Sequence, residues 1–97
     1  MKSDSIYQNL DYLIHAYFNQ DFDSWGNTME EIVSCFRKEN DEALCRLIVT
    51  EIDRFEAEHS GDLDACFDRA YGLYVNPLAW GHTVHSFLEE LKHLLAE

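Results

Sequence analysis

The chain has 97 residues, of which 46% are hydrophobic, and its 19 acidic and 7 basic side chains give a formal net charge of −12 at pH 7. This length and apolar content predict one domain, residues 1–97, with a single core, and they exclude an intrinsically disordered chain. The negative charge disfavours direct binding to nucleic acid. The sequence lacks both an apolar N-terminal run and an apolar stretch of about 20 residues, so we expect a cytoplasmic protein with no membrane contact.

The first half of the chain predicts two amphipathic helices, because apolar residues recur at three- and four-residue steps. The first helix runs from Ser5 to about Phe18, and the second begins at a cap formed by Asn27 or Thr28. The residues between them break the period. The two apolar faces contain Ile6, Leu10, Leu13, Ile14 and Tyr17 in the first helix and Met29, Ile32, Val33 and Phe36 in the second.

The second half predicts three more helices. The third begins at Asn40 or Asp41 and runs to about Glu58, and the fourth begins at a cap formed by Asp62. Pro77 ends the fourth helix. A loop at residues 78–81 then leads to a last helix that Thr83 caps. The three apolar faces contain Leu44, Leu47, Ile48, Ile52 and Phe55, then Leu63, Cys66, Phe67, Ala70, Tyr71 and Tyr74, then Val84, Phe87, Leu88, Leu91, Leu94 and Leu95.

Five helices, short connections and no alternating strand pattern predict an all-α fold, a compact single-domain bundle of about five helices. The acids are not spread evenly along it. Residues 51–68, here called the acidic region, carry seven acids and one base, Arg54, a local net charge of −6. Such self-repulsion costs folding stability. Two explanations stay open, namely solubility and the attraction of a basic partner.

The segment Asp21-Phe22-Asp23-Ser24-Trp25-Gly26 begins like a calcium-binding loop. Position twelve of that loop would be Ile32, where calcium needs a bidentate Glu, so the calcium interpretation fails. The alternative is a helix connection in which the carboxylates cap backbone amides while Phe22 and Trp25 close over the core.

The sequence offers few other candidates for catalytic or metal-binding residues. Cys35, Cys45 and Cys66 lack C-x-x-C spacing and are interpreted as buried, reduced thiols. His82 and His85 are three residues apart, but two nitrogens do not make a zinc site and no third ligand is adjacent in sequence. No nucleophile elbow and no phosphate-binding glycine loop occur. We therefore predict no catalytic residue, no metal and no cofactor.

The run Leu13-Ile14-x-Ala16-Tyr17-Phe18-x-Gln20-Asp21-Phe22 resembles the N-terminal signature of an all-α family of immunity proteins from bacterial contact-dependent growth inhibition (CDI) systems. In that family an aromatic pair, a Gln-Asp pair and another aromatic residue follow a first helix. The resemblance continues weakly at Glu51-Ile52-Asp53. It returns near the end of the chain at Tyr74, Pro77, Gly81, Thr83 and Phe87-Leu88. The matching residues of the first motif are expected to specify the fold rather than to contact a partner.

The resemblance implies a small cytoplasmic protein that binds and neutralises the C-terminal domain of one cognate toxin. Such toxins are often nucleases with basic substrate grooves, and an acidic inhibitor without catalytic residues suits that partner. The alternative is a small acidic helical interaction or regulatory module with no toxin partner. The predicted toxin-binding residues are Asp53, Glu56, Glu58, Asp62 and Asp64, with a second patch of Asp21, Asp23 and Trp25, and Trp80 as a further aromatic anchor.

Overall fold

A computed structural model of the chain describes residues 7–18, 28–72 and 75–96. Its elements are α1 (Gln8–Tyr17), α2 (Met29–Glu39), α3 (Glu42–Glu58), α4 (Leu63–Tyr71), a 3-10 helix (Pro77–Trp80) and α5 (Val84–Ala96). The all-α prediction is confirmed, and no strand occurs in these ranges. None of the described helices is long and apolar enough to cross a membrane. The predicted patch of Asp21, Asp23 and Trp25 lies outside the described residues.

Three helix starts are set by local caps that confirm the predictions. The Thr28 hydroxyl accepts a backbone N–H three residues later at 3.1 Å, and the Asp41 carboxylate does the same at 3.0 Å. At α5, Thr83 and Ser86 cap each other: the hydroxyl of each accepts the backbone N–H of the other, at 3.1 and 2.9 Å. These bonds satisfy N–H groups that a helix start leaves without partners.

Two local predictions are wrong. Asp62 occupies the position before α4, but its side chain makes no capping bond, because its backbone (φ −148°, ψ 43°) is not the extended conformation that aims a carboxylate at the first turn. The predicted loop at residues 78–81 is largely a 3-10 helix. Pro77 starts it with a preset φ, and the Asn76 side chain accepts the Leu78 N–H at 3.2 Å.

The buried face of α3 also differs in register from the prediction. Cys45 belongs to it together with Ile48, Ile52 and Phe55. Leu47 is 52% exposed instead. It precedes Ile48 by one position, which turns its side chain about 100° away around the helix. In α4, the predicted Ala70 is likewise exposed.

The central helix is α5, which packs against α2, α3 and α4, while α1 packs against α2 and α3. The buried apolar residues of α5 fall at positions i, i+1, i+4, i+7 and i+8, a stripe wide enough to face several neighbouring helices at once. The buried members of that stripe are Phe87, Leu88, Leu91, Leu94 and Leu95.

Tyrosine hydroxyls that donate to carboxylates tie the helices together. In each case the phenol ring packs in or beside the core while its hydroxyl reaches an acid on another helix. Burial, followed by the bond to its carboxylate, raises the pKa of the Tyr71 hydroxyl. The three pairs are Tyr71 with Asp11 at 2.5 Å, Tyr17 with Glu39, and Tyr7 with Glu58.

The cap of α1 is supplied by a different helix. Tyr7, which precedes α1, provides no side-chain cap. Glu51 of α3 takes that role: one carboxylate oxygen accepts the Leu10 N–H and the other accepts the Asn9 side-chain amide, both at 2.8 Å. A carboxylate beside a helix start also complements the helix dipole. Part of the negative charge of the chain therefore holds the bundle together.

Candidate functional site

The acidic region does not fold into one continuous surface. Its α3 carboxylates lie on both flanks of the buried stripe of that helix. Glu58 accepts a hydrogen bond from the tyrosine that precedes α1, whereas Asp53 and Glu56 bind Lys92 of α5. The fold thus brings Asp53 and Glu56 together and separates them from Glu58.

Lys92 is the centre of a charged group on the α3–α5 flank, here called the lysine cluster. Its ammonium donates to Asp53 and Glu89 at 2.7 Å and to Glu56 at 3.0 Å. The Lys92 side chain is 19% exposed and the Glu56 side chain 15%. The His85 ring nitrogen lies 3.9 Å from both glutamates. Two predicted toxin-binding residues therefore already have an internal cation.

The electrostatics of the lysine cluster follow from burial. Burial raises the pKa of Glu56, although its hydrogen bond with Lys92 opposes the shift. The same ammonium lowers the pKa of the more exposed Glu89. Burial disfavours the charged form of Lys92, but its carboxylate partners outweigh this and hold its pKa above the ordinary value.

The carboxylates of α4 are in a different situation. Asp64 and Asp68 are exposed and one helical turn apart, and their side chains make no hydrogen bond or ion pair within the part of the chain that the structure describes. Like charges at this spacing repel, and Asp68 also lies near the negative end of α4. No ion pair with another described residue offsets these two charges.

A recess of about 410 Å³ lies beside this pair, between α4, the 3-10 helix and the start of α5. Its lining combines the two carboxylates with apolar side chains that include Phe67, Val75 and Leu78. Leu78 is 76% exposed, the largest exposure among the big apolar residues described. Negative charge and accessible apolar surface therefore meet here. We call Asp64, Asp68 and Leu78 the α4 face.

The bases gather elsewhere. Three of the seven Lys and Arg residues line a cleft of about 750 Å³ formed by α2, the first half of α3 and the end of α5. These bases are Arg37, Lys38 and Arg46. Bases are therefore more concentrated in this cleft than in the recess beside α4. The sequence does not reveal this cleft, because Arg37 and Lys38 of α2 approach Arg46 of α3 only when the helices pack together.

Trp80, the other predicted aromatic anchor, is half-buried. Its ring packs edge-to-face on Phe18 with centroids 5.8 Å apart, and Phe18 in turn packs on Phe87 at 5.5 Å. Trp80 thus closes one edge of the core.

Two groups of side chains have the atoms to hold a metal ion among the described residues. One consists of His59, Asp62 and Cys66, and the other of Glu56, His85 and Glu89; within each group the ligand atoms lie within 4.8 Å of one another. In the second group, both glutamates already bind the Lys92 ammonium. Neither is apparent as a motif in the sequence.

A family model described as "CdiI immunity protein" matches residues 6–95, a span that contains all the described helices except the last residue of α5. No curated protein and no solved structure gives a significant match. Proteins of this family are inhibitors rather than enzymes. The resemblance seen at the first helix is thus confirmed over almost the whole chain, which belongs to the CdiI immunity protein family and provides immunity against a CDI toxin.

Proposed function

We propose that the cognate toxin domain is a nuclease with a basic active site, and that this protein neutralises it in the cytoplasm by covering that site with an acidic surface. The observation that carries the proposal is the α4 face, where exposed carboxylates that pair with no cation among the described residues border an accessible apolar recess. The family match supports the toxin as partner. The net charge of −12 supports a basic one.

The physical basis is charge complementarity. A nuclease attracts phosphates with Lys and Arg side chains, and carboxylates held at the same spacing can take the place of those phosphates. Attraction between opposite fields also raises the association rate, by about 10- to 1,000-fold at low salt. Fast capture suits an inhibitor that must bind a toxin before it cleaves nucleic acid. No chemistry by the inhibitor is needed.

The predicted contact residues differ in what they offer a toxin. Asp62 and Asp64 are exposed on the α4 side, whereas Asp53 and Glu56 share the Lys92 ammonium. Glu58 accepts hydrogen bonds from Tyr7 and Arg54. Binding through Asp53, Glu56 or Glu58 would require a toxin cation to compete with bonds already made. We therefore place the centre of the interface on the α4 face, with Leu78 as its apolar contact.

The test compares two neutralised variants with the same change in net charge. Asp64→Asn/Asp68→Asn removes the α4 pair, and Glu30→Gln/Glu31→Gln removes two exposed acids from the first turn of α2. Association with the C-terminal domain of the toxin encoded beside this protein is measured by stopped flow at low and high salt. We expect the α4 variant to associate at least about tenfold more slowly at low salt than the control.

The nuclease assignment is tested separately by incubating the toxin domain with DNA and RNA, with and without this protein. Cleavage that the protein suppresses supports the proposal. A toxin domain that binds this protein but cleaves neither nucleic acid would refute the nuclease assignment. Equal slowing in the two charge variants would refute the α4 face, since net charge alone would then account for the attraction.

A further inference from the structure

We propose that the connection between α3 and α4 binds Zn²⁺ or a similar thiophilic divalent cation through His59, Asp62 and Cys66. None of its three ligands lines the recess of the α4 face, although Asp62 is also one of the predicted toxin-binding residues. Its chemistry differs from that of the other charged groups described. The proposal rests on the convergence of three different ligand types at one tight turn.

The turn holds the three ligands by short-range geometry. His59 ends α3, Asp62 precedes α4 and Cys66 lies in the first turn of α4. The Asp62 N–H donates to the His59 carbonyl at 3.1 Å, and the Cys66 N–H donates to the Asp62 carbonyl at 3.0 Å. One side-chain atom of each residue lies within 4.8 Å of the other two. The backbone that carries the ligands is therefore ordered by its own hydrogen bonds.

The side chains are also available for a ligand. Asp62 occupies a capping position but caps no backbone group, so its carboxylate is turned towards the thiol instead. The His59 ring packs edge-to-face against Phe55 with centroids 4.8 Å apart, which restricts its rotation. Burial and the contact with Asp62 keep the pKa of the Cys66 thiol raised, so metal binding must displace its proton.

The ligand set indicates which cation fits. Sulfur, imidazole nitrogen and one carboxylate oxygen suit Zn²⁺, while Mg²⁺ and Ca²⁺ prefer oxygen ligands alone. Three protein ligands leave a fourth tetrahedral position for water. Zinc bonds of about 2.0–2.3 Å would bring the ligand atoms roughly 3.5 Å apart, a contraction that side-chain rotation can supply.

Two comparisons within the molecule sharpen the proposal. Glu56, His85 and Glu89 form a group of similar size, but Lys92 already donates to both glutamates at 2.7–3.0 Å, so that group has its cation. At the proposed site the nearby cation is Arg69, whose contact with the thiol partly opposes the rise in the pKa of Cys66 and whose charge repels a metal. Neutralising Arg69 should therefore tighten metal binding.

The experiment titrates the reduced, metal-free protein with Zn²⁺ against a chromophoric chelator, and separately with Co²⁺. We expect one ion per chain and a thiolate-to-Co²⁺ absorption band. His59→Ala should weaken Zn²⁺ binding by more than tenfold, since even outer-shell losses cost about 10- to 100-fold. Cys66→Ser should abolish the band, and Arg69→Gln should strengthen binding.

Cys45→Ser is the matched control, because Cys45 is a buried free thiol that lines the basic cleft instead. It should leave metal binding unchanged. Circular dichroism confirms that each variant is folded, and if Cys66→Ser unfolds, the wild-type Co²⁺ band and the His59→Ala affinity decide. Absence of the thiolate band, or equal Zn²⁺ affinity in the wild type and His59→Ala, would overturn the proposal.

Discussion

Lys92→Met tests how much the lysine cluster stabilises the contact between α3 and α5. The change keeps an apolar stem and removes an ammonium that three carboxylates share. Exposed ion pairs contribute about 0–1 kcal/mol, and breaking a buried pair costs about 3–5 kcal/mol. With Lys92 19% and Glu56 15% exposed, but Asp53 and Glu89 more open, we expect the free energy of unfolding to fall by about 2 kcal/mol at pH 7.

The loss should depend on pH in a defined direction. Burial raises the pKa of Glu56 in the wild type, and removal of Lys92 should raise it further. A carboxyl whose pKa is higher in the folded than in the unfolded state favours folding increasingly as pH falls through the folded value. The deficit of Lys92→Met should therefore shrink between pH 7 and about pH 5.

Arg46→Met is the control, because Arg46 and Glu42 form an equally short pair at 2.9 Å with both side chains 78% exposed. It should cost less than about 0.5 kcal/mol. Urea unfolding followed by circular dichroism at both pH values gives the comparison. Equal losses in the two variants, or a Lys92→Met deficit that does not change with pH, would show that burial does not govern the strength of these pairs.

Three further substitutions probe single contacts, each read as the free energy of unfolding. Tyr71→Phe leaves Asp11 without its 2.5 Å donor and should cost about 1.5 kcal/mol; no change would show that the bond adds no net stability. Glu51→Ala removes the cap of α1 and should cost about 1 kcal/mol, with faster amide exchange at the start of that helix but not elsewhere. Gly81→Ala should cost about 1–2 kcal/mol because Gly81 has φ +81°, whereas Gly61→Ala, with equally open space and no such φ, should stay within about 0.5 kcal/mol.

Local chemistry made the helices predictable. Thr28, Asp41 and Thr83 cap backbone groups three residues away. A few neighbouring residues therefore determine where each of these three helices begins. In the first family motif, Tyr17 and Phe18 are buried, as expected of residues that specify the fold. Apolar periodicity then identifies the body of each helix. The end of α4 was predicted wrongly, because that helix ends at Tyr71, before Pro77 is reached.

The sequence did not predict which carboxylates bind partners within the bundle. Glu51 caps a helix 41 residues away, and Asp53 and Glu56 meet Lys92 across 39 and 36 residues. In sequence, an acid that binds a distant partner looks the same as one that faces water. The acidic region therefore predicted the sign of the field but not which of its members were available to a partner.

The tyrosine–carboxylate tethers separate the acids of this chain into two groups with different freedom to vary. Replacing Glu39, Glu58 or Asp11 removes an acceptor from a contact between helices, so such changes are expected to be lost through misfolding before recognition is affected. Asp64 and Asp68 contribute to no such contact, and their loss relieves repulsion within α4. In the proposed interface, these two residues can therefore change together with the toxin while the scaffold stays intact.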